Sequence, residues 1–347
     1  MTVPTPAAVP VRRPPLTLLL GVGGALLVAS LLVAVTVGPA GLGVGEVARV
    51  IGSHLGVGGD VPPLHDAIVW ELRLPRVLTA AAVGGGLAVA GAVMQSLTRN
   101  PLADPYLLGL SSGASLGAVA VLVLGVAVLL PVAAFVGALA ALVATLALAR
   151  TGGSVTPTRA VLAGLAVSQL AAAATSFVVF WTATGDSYRE ILSWLMGSLA
   201  GATWTSVAIA GGAALVVGSV LLGAATRLDA FTFGDTAAAA LGIDVDRTRW
   251  TLMTLVALLT GGLVAVSGAI GFVGLVLPHG VSPLTGPAHR RLLPVAALTG
   301  AVFLVWADTL ARTVFAPREI PVGIVTALVG VPVFAVVLRR GRGTSWS

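Results

Sequence analysis

Few side chains in this sequence could do chemistry. The 347 residues hold 13 carboxylates, 4 histidines and no cysteine, and all 19 basic residues are arginine. Without lysine there is no P-loop, whose lysine holds the β/γ-phosphates, and no Schiff-base catalysis. Without cysteine there is no disulfide scaffold, iron–sulfur centre or cysteine-ligated zinc. Neither a His-Glu-x-x-His helix nor a catalytic pair of aspartates occurs. His279 has no second histidine at ligand spacing, so it reads as a structural cap and no metal is assigned. The remaining polar chemistry gathers at Gln95, Asn100 and Asp104, interleaved with Pro101 and Pro105. Irregular backbone at membrane depth survives only when buried in protein or lining a cavity. The Asn100–Pro105 junction is therefore either a rigid turn or part of a gate.

The elements that position these residues are read from composition. Hydrophobic residues make up 57% of the chain, charged residues 9%, and mean hydropathy is +1.04. A soluble domain carries about 25% charge, and a disordered chain is polar, so both are excluded. The chain reads as an all-α, polytopic membrane protein. Ten spans of the length needed to cross a bilayer are predicted near 16–38, 77–97, 106–127, 130–149, 160–183, 204–224, 250–269, 270–285, 292–311 and 321–338. The first follows Arg12 and Arg13 and reads as an uncleaved anchor rather than a signal peptide. The eighth contains Pro278, Gly280 and Pro283 and reads as short or broken. One membrane domain is expected over 16–338, with cytoplasmic tails at 1–15 and 339–347.

With the N-terminus inside, 13 arginines fall on the cytoplasmic side and 6 outside, which by the positive-inside rule puts both termini in the cytoplasm. The net charge of +6 is thus a topology signal. No basic patch interleaved with aromatics points to nucleic acid. Small residues at Gly84–Gly91 and Gly109–Gly113 predict tight helix contacts. A shift of 177 residues lays Gly84-Gly85 on Gly261-Gly262, Gly91 on Gly268 and Pro101 on Pro278, suggesting an inverted repeat. The spans hold almost no ionisable residue, with Asp308 near an outer end and Asp104 at an inner one, which argues against an ion-coupled carrier.

Several runs are recognisable in series: Arg73-Leu-Pro-Arg76, Gly91-Ala-Val-Met-Gln95, Asn100-Pro-Leu-Ala-Asp-Pro105, Trp194-Leu-Met-Gly-Ser-Leu-Ala-Gly201, Gly271-Phe-Val-Gly-Leu-Val-Leu-Pro-His279, Ala307-Asp-Thr-Leu-Ala-Arg312 and Ile320-Pro-Val-Gly. From about residue 68 onward the chain resembles the FecCD/BtuC-type permeases of bacterial ABC importers for iron–siderophores, haem or cobalamin. The resemblance implies a BtuC-like type II permease fold in the bacterial cytoplasmic (inner) membrane. It also implies a homo- or heterodimer with a second permease subunit, two ABC ATPase subunits that hold ATP-Mg, and a substrate-binding protein or lipoprotein. This chain would bind no cofactor and catalyse no reaction. An iron(III)–siderophore is the expected substrate, with haem or cobalamin as alternatives.

By the same resemblance, Arg73, Arg76 and Arg312 match outer arginines that receive acidic residues of the binding protein. The alternative is that Arg73 and Arg76 snorkel or pair with Glu71; Arg318 and Glu319, in the same outer loop as Arg312, read as a solvated turn. The segment 228–246 matches the coupling helix that meets the ATPase, through Gly234, Asp235, Leu241 and Gly242. Thr236–Ala240 are small where the family often has charge, so that contact is expected to rest on packing. Asn100, Pro101, Leu102, Thr156 and Thr158 match the cytoplasmic gate. Ser282 and Pro283 stand where the family often has an arginine after Pro-His.

Overall fold

The computed structural model describes residues 13–38, 40–57, 59–126, 130–150, 156–182 and 186–340. The tails expected at 1–15 and 339–347, and residues 153–155 of the loop carrying Thr156, fall wholly or largely outside them.

Helix α1 (Leu16–Thr36) is followed by two short helices, α2 (Val44–His54) and α3 (Pro63–Asp66). Helix α3 runs without interruption through a π-helical turn, Ala67–Arg73, into α4 (Leu74–Thr98). Pro75 supplies the physical reason for that turn. It lacks an N–H and its ring crowds the carbonyl one turn back, and the Leu74 amide bonds to Val69 O, five residues away. The second predicted span, 77–97, is thereby part of a 36-residue helical stretch. Helices α5 (Leu110–Val123), α6 (Leu130–Ala149) and α7 (Pro157–Thr182) pack on one another. The third predicted span opens with a 3-10 turn at Pro105–Leu108, and α5 begins only at Leu110. Helices α8 (Asp186–Leu195), α9 (Trp204–Gly223), α10 (Ala225–Thr232), α11 (Asp235–Ala240) and α12 (Val245–Ser267) follow. The chain finishes with α13 (Val273–Thr285), α14 (His289–Thr313) and α15 (Val322–Arg340).

Seven of these helical stretches are long and apolar enough to cross a membrane, and α5 and α15 are shorter apolar helices. Their burial separates centre from rim. Helix α4 packs against α14, α9, α12 and α13, and both its Gly84–Gly86 run and its Ala88–Met94 run are buried. Helices α1, α7 and α9 instead expose large apolar side chains such as Leu26, Phe180 and Leu215. A helix apolar all round and buried belongs in a core, whereas exposed Leu and Phe on long helices face lipid. The chain is a multi-pass membrane protein.

The close contacts use small residues as expected. A Cβ at Gly84 would lie 2.2 Å from Gly300 O, and one at Gly113 would lie 2.4 Å from Gly137 O. Such backbone approach is how helices associate where lipid tails are as apolar as leucine.

The bundle has two polar ends. Thr36, Arg76 and Arg312 meet at one; Arg99, α10, α11 and the starts of α12 and α14 meet at the other. The eighth predicted span is a short helix, as expected. Its helix begins at Val273 and is 13 residues long, with Pro278 and Pro283 inside it. Pro278 and His279 line a cavity with Gln95, Arg99 and Pro101, so α13 returns toward the Arg99 end. This corrects the 177-residue register: Gly91 is helical within α4, whereas Gly268 has φ +64° beyond the end of α12. Likewise Pro101 lies in a turn, whereas Pro278 lies inside a helix.

Candidate functional site

At the Arg76 end the three arginines singled out by sequence come together, but they point inward. Arg73, Arg76 and Arg312 are all buried. Arg73 Nη1 donates to the Val35 and Thr36 carbonyls at 3.0 and 3.1 Å, satisfying acceptors that the end of α1 leaves free. Arg76 donates Nε to both Asp308 oxygens, at 3.1 and 2.9 Å, and Nη2 to Oδ1 at 2.9 Å. Its Nη1 donates to Glu319 at 2.7 Å. Arg312 donates to Ala34 O and lies 4.0 Å from Asp308. Neither arginine of the Arg-Leu-Pro-Arg run pairs with Glu71, and Glu319 is half of an ion pair rather than a free turn residue. Asp308 and Glu319 were missed as members of this cluster, since more than 230 positions separate them from Arg76.

At the Arg99 end, Arg99 takes a left-handed conformation that caps α4. Asn100 Oδ1 accepts from Leu102 N at 2.9 Å, and Asn100 O accepts from Ala103 N at 3.0 Å, so the junction is an internally bonded turn. Asp104 Oδ1 accepts from Tyr106 N at 2.9 Å. Burial pushes the Asp104 carboxyl up to about 6, against the lowering effect of that hydrogen bond. A cavity of about 340 Å³ lies beside the turn, lined by Gln95, Ser96, Arg99, Pro101, Thr232 and His279 among others. Thr156 caps α7 by accepting from Arg159 N at 3.4 Å, and Thr158 is exposed. Among the described residues, no hydrogen bond joins either threonine to Asn100–Leu102.

The segment 228–246 forms a helix–turn–helix on the same end. Gly234, at φ +94°, turns the chain from α10 into α11, and Gly242, at φ +80°, stops α11. Ile243 N bonds back to Ala238 O at 3.1 Å and Gly242 N to Ala239 O at 2.9 Å, the closure a left-handed C-terminal glycine provides. Asp244 then caps α12 through Arg247 N. Asp235 faces Arg249 at 2.6 Å, a partner that sequence reasoning did not pick out.

Between the two ends the backbone is broken. Gly268 and Phe272 both have positive φ, and the chain is non-helical between Ser267 and Val273. Tyr106 bridges the break: its hydroxyl donates to Ile270 O at 3.1 Å and accepts from Ile270 N at 3.2 Å. Ser198 N holds Ser267 O at 2.9 Å.

This arrangement of helices and breaks also occurs in known proteins. A family model described as the FecCD transport family matches residues 26–340. The chain belongs to the FecCD transport family. The cobalamin import system permease protein BtuC of Halobacterium salinarum is 45% identical over 80% of this chain and 75% of its own length. The hemin transport system permease protein HmuU of Yersinia pestis is 44% identical, over 79% and 84%. The Fe(3+) dicitrate transport system permease protein FecD of Escherichia coli is 42% identical, over 80% and 87%. A solved structure assigned to the metal-chelate type of ABC transporter, in an inward-facing conformation, matches with a TM-score of 0.83 at 30% identity, covering 93% of this chain and 99% of its own.

As a FecCD-family member the chain is an ABC importer permease with a BtuC-like type II fold, a transport subunit rather than an enzyme. Its non-helical segment between Ser267 and Val273 is bridged by Tyr106. Tyr106→Phe keeps the ring but leaves the Ile270 amide without its partner, an expected loss of about 1–3 kcal/mol. Thermal unfolding in detergent measures the loss, and faster hydrogen exchange at Ile270 would locate it.

Proposed function

We propose that this FecCD-family permease carries an iron(III)–siderophore complex across the cytoplasmic membrane, as one of two permease chains above a pair of ATPase subunits. The observation that carries this reading is an apolar tip at the Arg99 end. Phe233 and Leu241 are 79% and 70% exposed and flank a helix of six small and polar residues held between Gly234 and Gly242. Exposed apolar groups beyond the membrane spans mark a protein contact, and packing rather than charge suits the Thr236–Ala240 sequence. On this reading the Arg99 end is cytoplasmic, in keeping with the arginines gathered there. ATP-Mg stays on the partner subunits, since the chain has no lysine for a P-loop.

At the opposite end, three guanidiniums meet two carboxylates. The cluster keeps one positive charge over, which attracts an acidic binding protein or lipoprotein. Arg76 becomes available to it when Glu319, whose side chain is 42% exposed, lets go. The substrate class is supported by the relatives: all three are named for chelated metals, and two of those for iron compounds.

The test is uptake by cells lacking the chromosomal copy, offered labelled ferric siderophore, haemin and cobalamin in turn. Ferric siderophore uptake is expected to depend on the chain, and Leu241→Asp is expected to abolish both uptake and co-purification of the ATPase. Uptake of haemin or cobalamin alone would move the substrate to that class. Uptake undiminished in Leu241→Asp would refute the coupling tip.

A further inference from the structure

We infer that Arg249 is the positioning residue that carries movement of α11 into α12, a step that rests on the ABC-permease reading above and assigns it an internal contact. Arg249 is 3% exposed, and its Nη2 donates to Asp235 Oδ1 at 2.6 Å. Its guanidinium carbon stands 5.4 Å from the centre of the Phe231 ring, within cation–π range. One side chain of α12 thus touches α11 through Asp235 and α10 through Phe231.

The other ties from this region to the bundle hold α10 only. Ser96 Oγ on α4 donates to Leu228 O at 3.2 Å. His289 on α14 meets Asp229 through its backbone N at 2.8 Å and its Nδ1 at 2.7 Å. Arg290 Nε donates to Thr226 at 3.1 Å. Among the described residues, Asp235–Arg249 is the one side-chain hydrogen bond that joins α11 to another helix. The apolar tip is therefore fastened to the membrane helices by a single directional contact.

What lies beyond that contact makes it consequential. Helix α12 has 23 residues without a proline, so it runs about 35 Å as a rigid rod. It ends at Ser267, where the broken segment pinned by Tyr106 begins. A push on α11 reaches the irregular backbone between Ser267 and Val273 through one rod. The Asp235 side chain is 42% exposed, so the pair adds little to stability. Its advantage here is geometric, because a charged hydrogen bond fixes direction where packed methyl groups slide. Arg249 Nε, buried and without a partner, leaves the guanidinium fork held at one corner.

The test uses the full chain assembled with its ATPase and binding protein in liposomes. Uptake of radio-iron-labelled siderophore and ATP hydrolysis are measured on the same vesicles. Arg249→Met is expected to lower uptake per ATP hydrolysed about tenfold, and Arg249→Lys to return it to within about twofold of the native ratio. The reversed pair Asp235→Arg with Arg249→Asp is expected to couple better than either reversal alone. A native ratio in Arg249→Met overturns the inference. So does a parallel fall of uptake and hydrolysis that matches a fall in assembled complex, because a merely structural role predicts that. If Arg249→Met does not assemble, Asp235→Asn is read by the same ratio, and a native value overturns the inference. Native vesicles that hydrolyse ATP without taking up any chelate would instead sink the permease reading itself.

Discussion

Asp308→Asn is expected to lower the unfolding free energy by about 3–5 kcal/mol, the cost of breaking a buried ion pair from one side. Asp308 is 1% exposed and accepts three hydrogen bonds from Arg76, with Arg312 at 4.0 Å from its other side. The substitution keeps the shape and removes the charge. Arg76 then retains Glu319 alone. Arg312, whose Nε has no hydrogen-bond partner, loses its nearest carboxylate and keeps only Ala34 O and a 3.5 Å contact to Thr309. Two guanidiniums would be left under-compensated where little water reaches them.

Glu319→Gln provides the contrast on the same arginine. Its side chain is 42% exposed, so water replaces what is lost; the expected cost is under about 1 kcal/mol. Unfolding of the purified chain in detergent, compared across the two variants, decides the matter. Equal losses would mean that solvent screens the whole cluster, and that Asp308 is not the buried anchor of α4 and α14. The unequal pair also bears on docking, because only the Glu319 side of Arg76 could be exchanged for a partner's carboxylate at low cost.

The sequence carried the spans well, because apolar length and Gly/Pro punctuation are local signals. Gly234 and Gly242 bound α11 for a similarly local reason: each turn needs a positive φ. What could not be read was set by partners distant in sequence. Nothing local to Arg76 announces Asp308 and Glu319, so an arginine in an outer loop read as a free docking group. The break near residue 270 was hidden differently. Phe272 adopts φ +69°, a conformation that sequence reasoning assigns to glycine, and the apolar run continues straight through it. Tyr106, 164 positions away, satisfies the Ile270 backbone there. Pro278 and Pro283 did signal an interruption, yet the helix accommodates both and the interruption falls before them.

Gly91→Ala should be the most damaging one-carbon change in the helical core, although propensity alone favours it. Alanine within a helix is worth about 1 kcal/mol over glycine. At position 91, however, the new Cβ would stand 1.9 Å from Gly274 O, 2.4 Å from Gly274 C and 2.5 Å from its Cα. These are backbone atoms, so no side chain can swing aside, and α13 must move away from α4. That movement also pulls the Gly274 and Leu275 carbonyls from Gln95, which donates to them at 3.2 and 3.1 Å. Overpacking costs about 1–3 kcal/mol even where side chains can adjust, so the clash outweighs the gain in propensity. The matched control is Gly211→Ala in the middle of α9, where a Cβ meets nothing within 4 Å; it is expected to be neutral or to stabilise by up to about 1 kcal/mol. Unfolding in detergent should therefore separate two identical substitutions in opposite directions. Because α13 is anchored to the broken segment, Gly91→Ala should also cut transport. Full transport in a Gly91→Ala protein of native stability would show that α4 and α13 are not held together at this contact.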